Sequence, residues 1–341
     1  MTVIIGIDPH KAIHAACAID ETEVELAQLQ VRAGRRQLEQ LMSWAQHYDK
    51  RMWAIESAGG LGYLLGQQLV AAGEEVVDVP ATLSSRVRLL GSGRSNKNDP
   101  NDARAVAIAA LRTPALAAVR REDHMSVLRM LAKAHLDVSR AKNRSCGRLH
   151  AVVAELVAGG IGKEVVVSQA ETLLAGIRPE SMVQHQRLEL AYEILAEVRR
   201  LDTQLKVSKR RVAAAVDASA TTVTDVYGVG PILAAIIIGY SGDPRRFATA
   251  GHYASYNGTA PIELSSGGRT VHRLSRRGNR VLNHAMHMAA VTQIRNPRSD
   301  GRGYYDAKIA AGKTRREALR ALKRRVSDRV YQRLIADARS H

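Results

Sequence analysis

The feature that most constrains this chain is a set of short apolar runs confined to its first eighty residues. VIIGID (3–8), HAACAID (14–20) and EVELAQLQV (23–31) follow one another before any helical period, as the strands of a meander do. RRQLEQLMSWAQHY (35–48) then repeats with helical spacing, and MWAIE (52–56) is a fourth strand. LGYLLGQQLVAAG (61–73) is a helix stopped by Gly73, and EVVDVP (75–80) a fifth strand stopped by Pro80. The order strand, strand, strand, helix, strand, helix, strand, helix predicts one mixed α/β sheet.

From about 115 to 216 the strand signals vanish. Val127, Leu131, Ala134, Val138, Ala141 and Ser145 fall at alternating four- and three-residue steps, and after one extra residue Leu149, Val152 and Leu156 continue the seam. Leu188, Ala191, Leu195, Val198, Leu205 and Val212 form a second stripe. Two long helices are expected, paired antiparallel or joined in a dimerising coiled coil. Gly159, Gly160 and Gly162 separate them, followed by a poorly periodic stretch near 163–180. The expected domains are therefore an α/β domain over 1–114, a helical spacer over 115–216 and a mainly helical C-terminal domain over 217–341.

Charge divides along the same lines. Residues 1–110 hold 11 Lys and Arg against 13 Asp and Glu, residues 111–240 hold 18 against 13, and residues 241–341 hold 21 against 7. The last third carries most of the net +17, a field that attracts polyanions, nucleic acid foremost. An acidic membrane surface fits less well, because the basic residues are spread over a mixed fold and no apolar run has spanning length. Two cysteines, Cys17 and Cys146, with no C-x-x-C pair, argue against a disulfide scaffold or structural zinc and for a reducing, cytoplasmic compartment.

Three basic or glycine-rich features are candidates for nucleic-acid contact. VYGVGPILAAIIIGYSG sets Gly228 and Gly230 before an apolar helix, a helix-hairpin-helix signature in which small residues let backbone N–H groups approach a phosphate. A glycine turn ahead of a core helix reads the same way. SSGGRTVHRLSRRGNR follows a glycine turn with Arg269, Arg273, Arg276, Arg277 and Arg280. Arg140, Arg144 and Arg148 line one face of the first long helix, where a solvated face and a phosphate-contacting one are equally consistent with the spacing.

Four acids carry the chemistry. Asp8 ends the first strand and Glu56 the fourth, and the strand succession is that of an RNase H-like sheet, in which these two strands are neighbours. SNKNDPNDARAVAIAA (95–110) adds Asp99 and Asp102 at the start of an alanine-rich helix, where i and i+3 share a face. Helix capping alone accounts for two acids at such a place. Four converging carboxylates, however, need cations, and hard oxygen ligands select Mg²⁺ or Mn²⁺. Two such ions about 4 Å apart clamp a phosphodiester for in-line displacement.

GIDPHK, WAIESAGG, KNDPNDA, YGVGP, YNGTAPIELSSGG and RLSRRGNRVLNHAM together resemble the DEDD transposases of the IS110 insertion-sequence family, relatives of the Piv DNA invertases also called bridge recombinases. The resemblance spans nearly the whole chain. It implies a RuvC-like N-terminal domain, a coiled-coil spacer and a C-terminal transposase domain, with the metal tetrad on Asp8, Glu56, Asp99 and Asp102. Asn98 departs from the threonine frequent before the first acid of the pair, next to a ligand rather than at one. The resemblance also implies a serine nucleophile in Ser265-Ser266-Gly267-Gly268, placed at Ser266 in preference to Ser265; a surface turn has the same composition. His272 and Tyr256 lie nearby without an assigned role. Donor and target DNA, a structured bridge RNA and a homo-oligomer, dimer or tetramer, are the implied partners. Two other readings stay open: a Mg²⁺-dependent structure-specific nuclease of the junction-resolvase kind, with water as nucleophile, and a non-catalytic DNA-binding protein.

Overall fold

The computed structural model describes residues 2–92, 99–114, 116–266, 269–274 and 278–340, with the backbone alone described over 90–92, 99–100, 262–266 and 269–274. The chain divides into two compact units, 1–122 and 123–341, so the middle helices group with the C-terminal residues.

In the first unit β1 (Val3–Pro9), β2 (Ile13–Ile19), β3 (Glu25–Arg32), α1 (Gln37–Ala45), β4 (Arg51–Glu56), α2 (Tyr63–Ala71), β5 (Val76–Val79), α3 (Ala81–Ser92), α4 (Asp99–Arg112) and β6 (Ala117–Ala118) follow in order. They build one sheet in the order β3-β2-β1-β4-β5-β6. The first three strands are an antiparallel meander, β1, β4 and β5 are parallel, and β6 closes the edge antiparallel to β5. This is the mixed sheet that the strand succession predicts, with a two-residue sixth strand that has no apolar signal of its own.

Both faces of β1 are buried, and the two-residue alternation sorts its side chains. Ile5 and Ile7 join Trp53, Ile55, Leu41, Leu65 and Leu69 in a core shared with α1 and α2. Ile4 joins Ala54, Val77, Val79, Ala103, Val106 and Ala107 on the opposite face, under α4. The contact there is backbone against backbone. A Cβ on Gly6 would stand 2.2 Å from the Ala103 carbonyl oxygen and 2.5 Å from the Ala107 nitrogen.

The second unit begins with α5 (His124–Ala154), α6 (Val167–Ala175) and α7 (Met182–Ala218). Side-chain pairs His135–Ser208, Lys142–Asp202, Arg148–Glu197 and Arg187–Glu155 run in opposite numerical directions, so α5 and α7 are antiparallel. The second stripe is as predicted at Ala191, Leu195, Val198 and Val212, all buried. The first stripe is correct only in its later half. Leu128 and Ala132 are buried where Val127 and Leu131 are expected, and Val127 is 46 % exposed. The reason is a second partner: this end of α5 packs on α8 (Pro231–Ser241), so closely that a Cβ on Gly239 would meet the Arg129 Cα at 2.5 Å. The poorly periodic stretch contains α6, whose Ala170 and Leu174 pack with Leu149, Val153 and Ile194.

Then come α9 (Ala250–Tyr256), a hairpin of β7 (Pro261–Ser266) and β8 (Arg269–Leu274), α10 (Arg280–Arg295), α11 (Asp300–Ala310) and α12 (Arg315–Ser340). Their core joins Val212, Ile237, Tyr253, Met286, Ala289, Leu322 and Val330. Among the described residues no helix is long and apolar enough to cross a membrane.

A single methyl group tests the sheet-helix contact. Gly6→Ala should cost at least roughly 1–3 kcal/mol by overpacking, because backbone atoms cannot give way as a side chain does. Gly147→Ala, mid-helix with open space ahead of its Cβ, should gain about 0.5–1 kcal/mol. Denaturant unfolding of both variants measures this, and a Gly6→Ala midpoint equal to that of the parent would show that α4 does not rest on β1.

Candidate active site

The sheet delivers two carboxylates to one edge. Asp8 and Glu56 each lie one position beyond the Ile7–Ile55 register pair of β1 and β4. By strand alternation Asp8 shares the face of Ile4 and Gly6, and Glu56 that of Ala54, which is the face covered by α4. Asp102, in the first turn of α4, reaches the same place from above the sheet. Asp8 and Asp102 are 5 % and 4 % exposed. Burial pushes the Asp8 carboxyl up to about 6, with the nearby Glu56 and Asp102 charges adding to the shift and the His10 imidazole, 3.6 Å away, opposing it.

The turn after Glu56 is tied down. Ser57 sits at φ +50°, its N–H donates to the Val79 carbonyl at 2.8 Å, and the Ala58 N–H donates to Asp78 Oδ1 at 2.7 Å. Asp78 is thus a structural acid that holds Glu56 in register.

Two residues of α3, one turn apart, complete the cluster without having been marked in the sequence. Ser84 Oγ donates to Glu56 Oε1. Arg88 Nη1 stands 2.6 Å from Asp102 Oδ1, and that carboxylate holds the guanidinium above its ordinary pKa, with Glu56 and Asp8 contributing at longer range. No spacing within α3 singles these two residues out in the sequence.

The donor set suits a hard divalent cation: every candidate ligand is a carboxylate, and the buried Asp102 Oδ1 meets the Arg88 guanidinium at 2.6 Å. Among the described residues, no three such groups stand close enough to hold an ion as they are. Asp99 opens α4, and its side chain lies outside the described residues.

The second unit places the other candidates. Ser265 and Ser266 end β7, opposite Thr270 and Arg269 in the hairpin register. Their side chains, and those of Arg269, His272 and Arg273, lie outside the described residues, as do Arg276 and Arg277 entirely. Arg280 opens α10 and is exposed. Tyr256 is committed to structure, its hydroxyl donating to the Tyr240 carbonyl at 3.2 Å. Of the arginine stripe on α5, Arg140 and Arg148 pair with Asp137 and Glu197, and all three arginines are exposed. Gly230 caps α8 with open space before it, whereas Gly228, at φ +86°, approaches the Ala289 carbonyl so closely that a Cβ would stand 2.7 Å away.

Comparison with known proteins decides the family. The IS110 DEDD transposase model matches residues 5–157, and the model described as Transposase IS116/IS110/IS902 family matches residues 220–306. The chain belongs to the IS110 transposase family. The transposase is 27 % identical to the insertion element IS116 44.8 kDa protein of Streptomyces clavuligerus, over 95 % of this chain and 92 % of that one. It is 24 % identical to a probable family 20 transposase of Pseudomonas aeruginosa, over 82 % and 80 %. Among solved structures, T. thermophilus RuvC in complex with Holliday junction substrate is similar at 16 % identity and a TM-score of 0.28, covering 35 % of this chain and all of that one. As a transposase, the protein is an enzyme that cuts and rejoins DNA.

The raised Asp8 pKa makes a prediction for metal-free protein held in chelator. Between about pH 4 and 6 the folded state binds more protons than the unfolded chain, so stability falls as pH rises through that window and stays lower above it. Asp8→Asn removes this cost. The variant should be more stable than the parent at pH 8, by no more than about 3 kcal/mol, and the difference should close by pH 4. Equal differences at the two pH values would mean that ionisation of Asp8 is not its source.

Proposed function

We propose that this transposase cuts and rejoins donor and target DNA through a composite site, with Asp8, Glu56, Asp99 and Asp102 holding Mg²⁺ or Mn²⁺ and Ser266 as the attacking group. The observation that carries this reading is the convergence of Asp8, Glu56 and Asp102 beneath α4, two of them buried. Divalent ions bound there supply charge for the transferring phosphodiester. Arg88 stands against Asp102, and Ser84 with the Asp78-anchored turn keeps Glu56 facing the cluster.

The Ser266 hydroxyl attacks phosphorus. An Oγ–P bond forms as one P–O bond to deoxyribose breaks, Oγ loses its proton and the departing oxygen gains one. The phosphoserine conserves the bond energy, so the reverse attack by a deoxyribose hydroxyl rejoins strands without an external energy source. The net +14 of residues 241–341 supports contact with nucleic acid. Guidance by a structured bridge RNA and action as a homo-oligomer, dimer or tetramer, are part of this proposal by resemblance to the family.

Labelled DNA incubated with the full-length protein, guide RNA and Mg²⁺ tests the reading through a denaturation-resistant protein–DNA adduct. Ser266→Ala should abolish the adduct and recombination while Mn²⁺ binding is unchanged, and Ser265→Ala should be milder. Asp102→Asn should abolish cutting while the fold and DNA binding persist. Reversed serine results would move the nucleophile to Ser265. Cutting at the parent rate by both single variants and the double variant would establish water as the nucleophile and a structure-specific nuclease.

A further inference from the structure

The second unit contains a cavity of about 620 Å³ between the segment before α8, the start of α11 and one face of α12. That volume is in the range of pockets that enclose small ligands, ~300–1,000 Å³. Its lining is unusually basic. Arg325, Arg329 and Arg333 follow one another at four-residue spacing along α12, and Arg298 faces them from before α11, against Asp225 and Asp300. Arg333 is paired with Asp225 at 3.3 Å, and Arg325 lies over the Tyr304 ring. No carboxylate pairs with Arg298 or Arg329 among the described residues, and both are exposed.

The cavity is also lined by an aromatic residue, Tyr227. Tyr227 is 50 % exposed, yet its backbone carbonyl accepts from Gln293 Nε2 at 2.7 Å and its hydroxyl accepts from Asn296 Nδ2. The next residue, Gly228, is locked against α10. Such a ring loses little entropy when something stacks on it. Asp300 at the start of α11 disfavours an anion at that helix terminus, which leaves Arg298 and Arg329 as the anion partners.

We infer that this cavity takes one unpaired nucleotide of a nucleic-acid strand, its base on Tyr227 and its phosphate at Arg298 and Arg329. The inference rests on the reading of the chain as a transposase that handles strands, and goes beyond it in assigning a site. A concave pocket with an aromatic residue in its lining does not admit a base that is still stacked in a duplex, but does admit one out of the stack. An acidic protein segment could satisfy the arginines but leaves the anchored ring unexplained.

The test uses the full-length protein with fluorescent oligo(dT), oligo(rU) and a duplex of equal length, read by anisotropy between 50 and 200 mM salt. Tyr227→Leu should weaken single-strand binding roughly tenfold, from the loss of one stack, with duplex binding unchanged. Tyr227→Phe, which keeps the ring and loses only the hydrogen bond from Asn296, should bind far better than Tyr227→Leu. Arg329→Ala, on an exposed helix face, should weaken single-strand binding and reduce the log–log salt slope by about 0.7, and Arg329→Lys should restore most of the affinity. An oligonucleotide carrying 5-iodouracil should photo-crosslink to the Tyr227 peptide. Loss confined to oligo(rU) or to oligo(dT) identifies RNA or DNA as the source of the strand. Parent-like affinity in both Tyr227→Leu and Arg329→Ala overturns the inference, as does an equal loss on single strands and duplex. If these effects appear while Asp102→Asn still cuts DNA, the pocket stands and the reading of the carboxylates falls.

Discussion

Everything at the carboxylate cluster depends on how closely α4 lies on β1. The contact uses the absence of a side chain at Gly6 and the small ones at Ala103 and Ala107, so that backbone meets backbone. Asp8 is two residues beyond Gly6 on the same face of the strand, and Asp102 immediately precedes Ala103. The packing of helix on sheet and the meeting of the two acids are therefore one event. A larger residue at any of the three small positions lifts the helix and separates the carboxylates together, which is how a core with little void transmits a change of one methyl.

The cluster then has to manage its own repulsion. Buried carboxylates are tolerated when protonated or neutralised, and this site uses both means: Asp8 has its pKa raised, and Asp102 has Arg88. The Arg88–Asp102 contact, at 2.6 Å, neutralises a carboxylate that is 4 % exposed. It also bears on helix capping as a reason for acids at the start of α4. Asp99 does open the helix and Asp102 does lie in its first turn, but the described carboxylate of Asp102 is spent on a guanidinium from another helix.

What was legible in the sequence is what local periodicity determines. Strands whose two faces are both buried read as apolar runs, and their order yields the sheet without knowledge of the packing. The stripe on α7 was legible because its buried residues keep to one face along the helix, although Ala191 and Leu195 pack with α6 while Val212 joins the C-terminal core. The early half of the α5 stripe was misread by one residue because α8 takes over as partner there, and a heptad seam carries no signal of a change of partner. Arg88 and Ser84 were not legible at all. Their importance comes from the landing place of α3 beside β4 and α4, which no spacing within α3 reveals. The proposal of Ser266 rests on resemblance alone, since two serines before two glycines have an ordinary turn composition.

The glycine motif before α8 has two readings in the sequence: Gly228 and Gly230 open space for a phosphate, or they form a turn ahead of a core helix. In the structure only Gly230 has open space, and Gly228 is spent on α10, at a positive φ and against the Ala289 carbonyl. That close approach determines the course of the chain at Tyr227, whose carbonyl Gln293 then binds and whose ring is left half exposed beside the arginines of α12. The conformational freedom of Gly228 thus serves the position of a neighbouring aromatic ring rather than a direct approach of the backbone to a ligand. A glycine in such a motif reports that two backbones meet; only the fold tells whether the second belongs to a nucleic acid or to the protein itself.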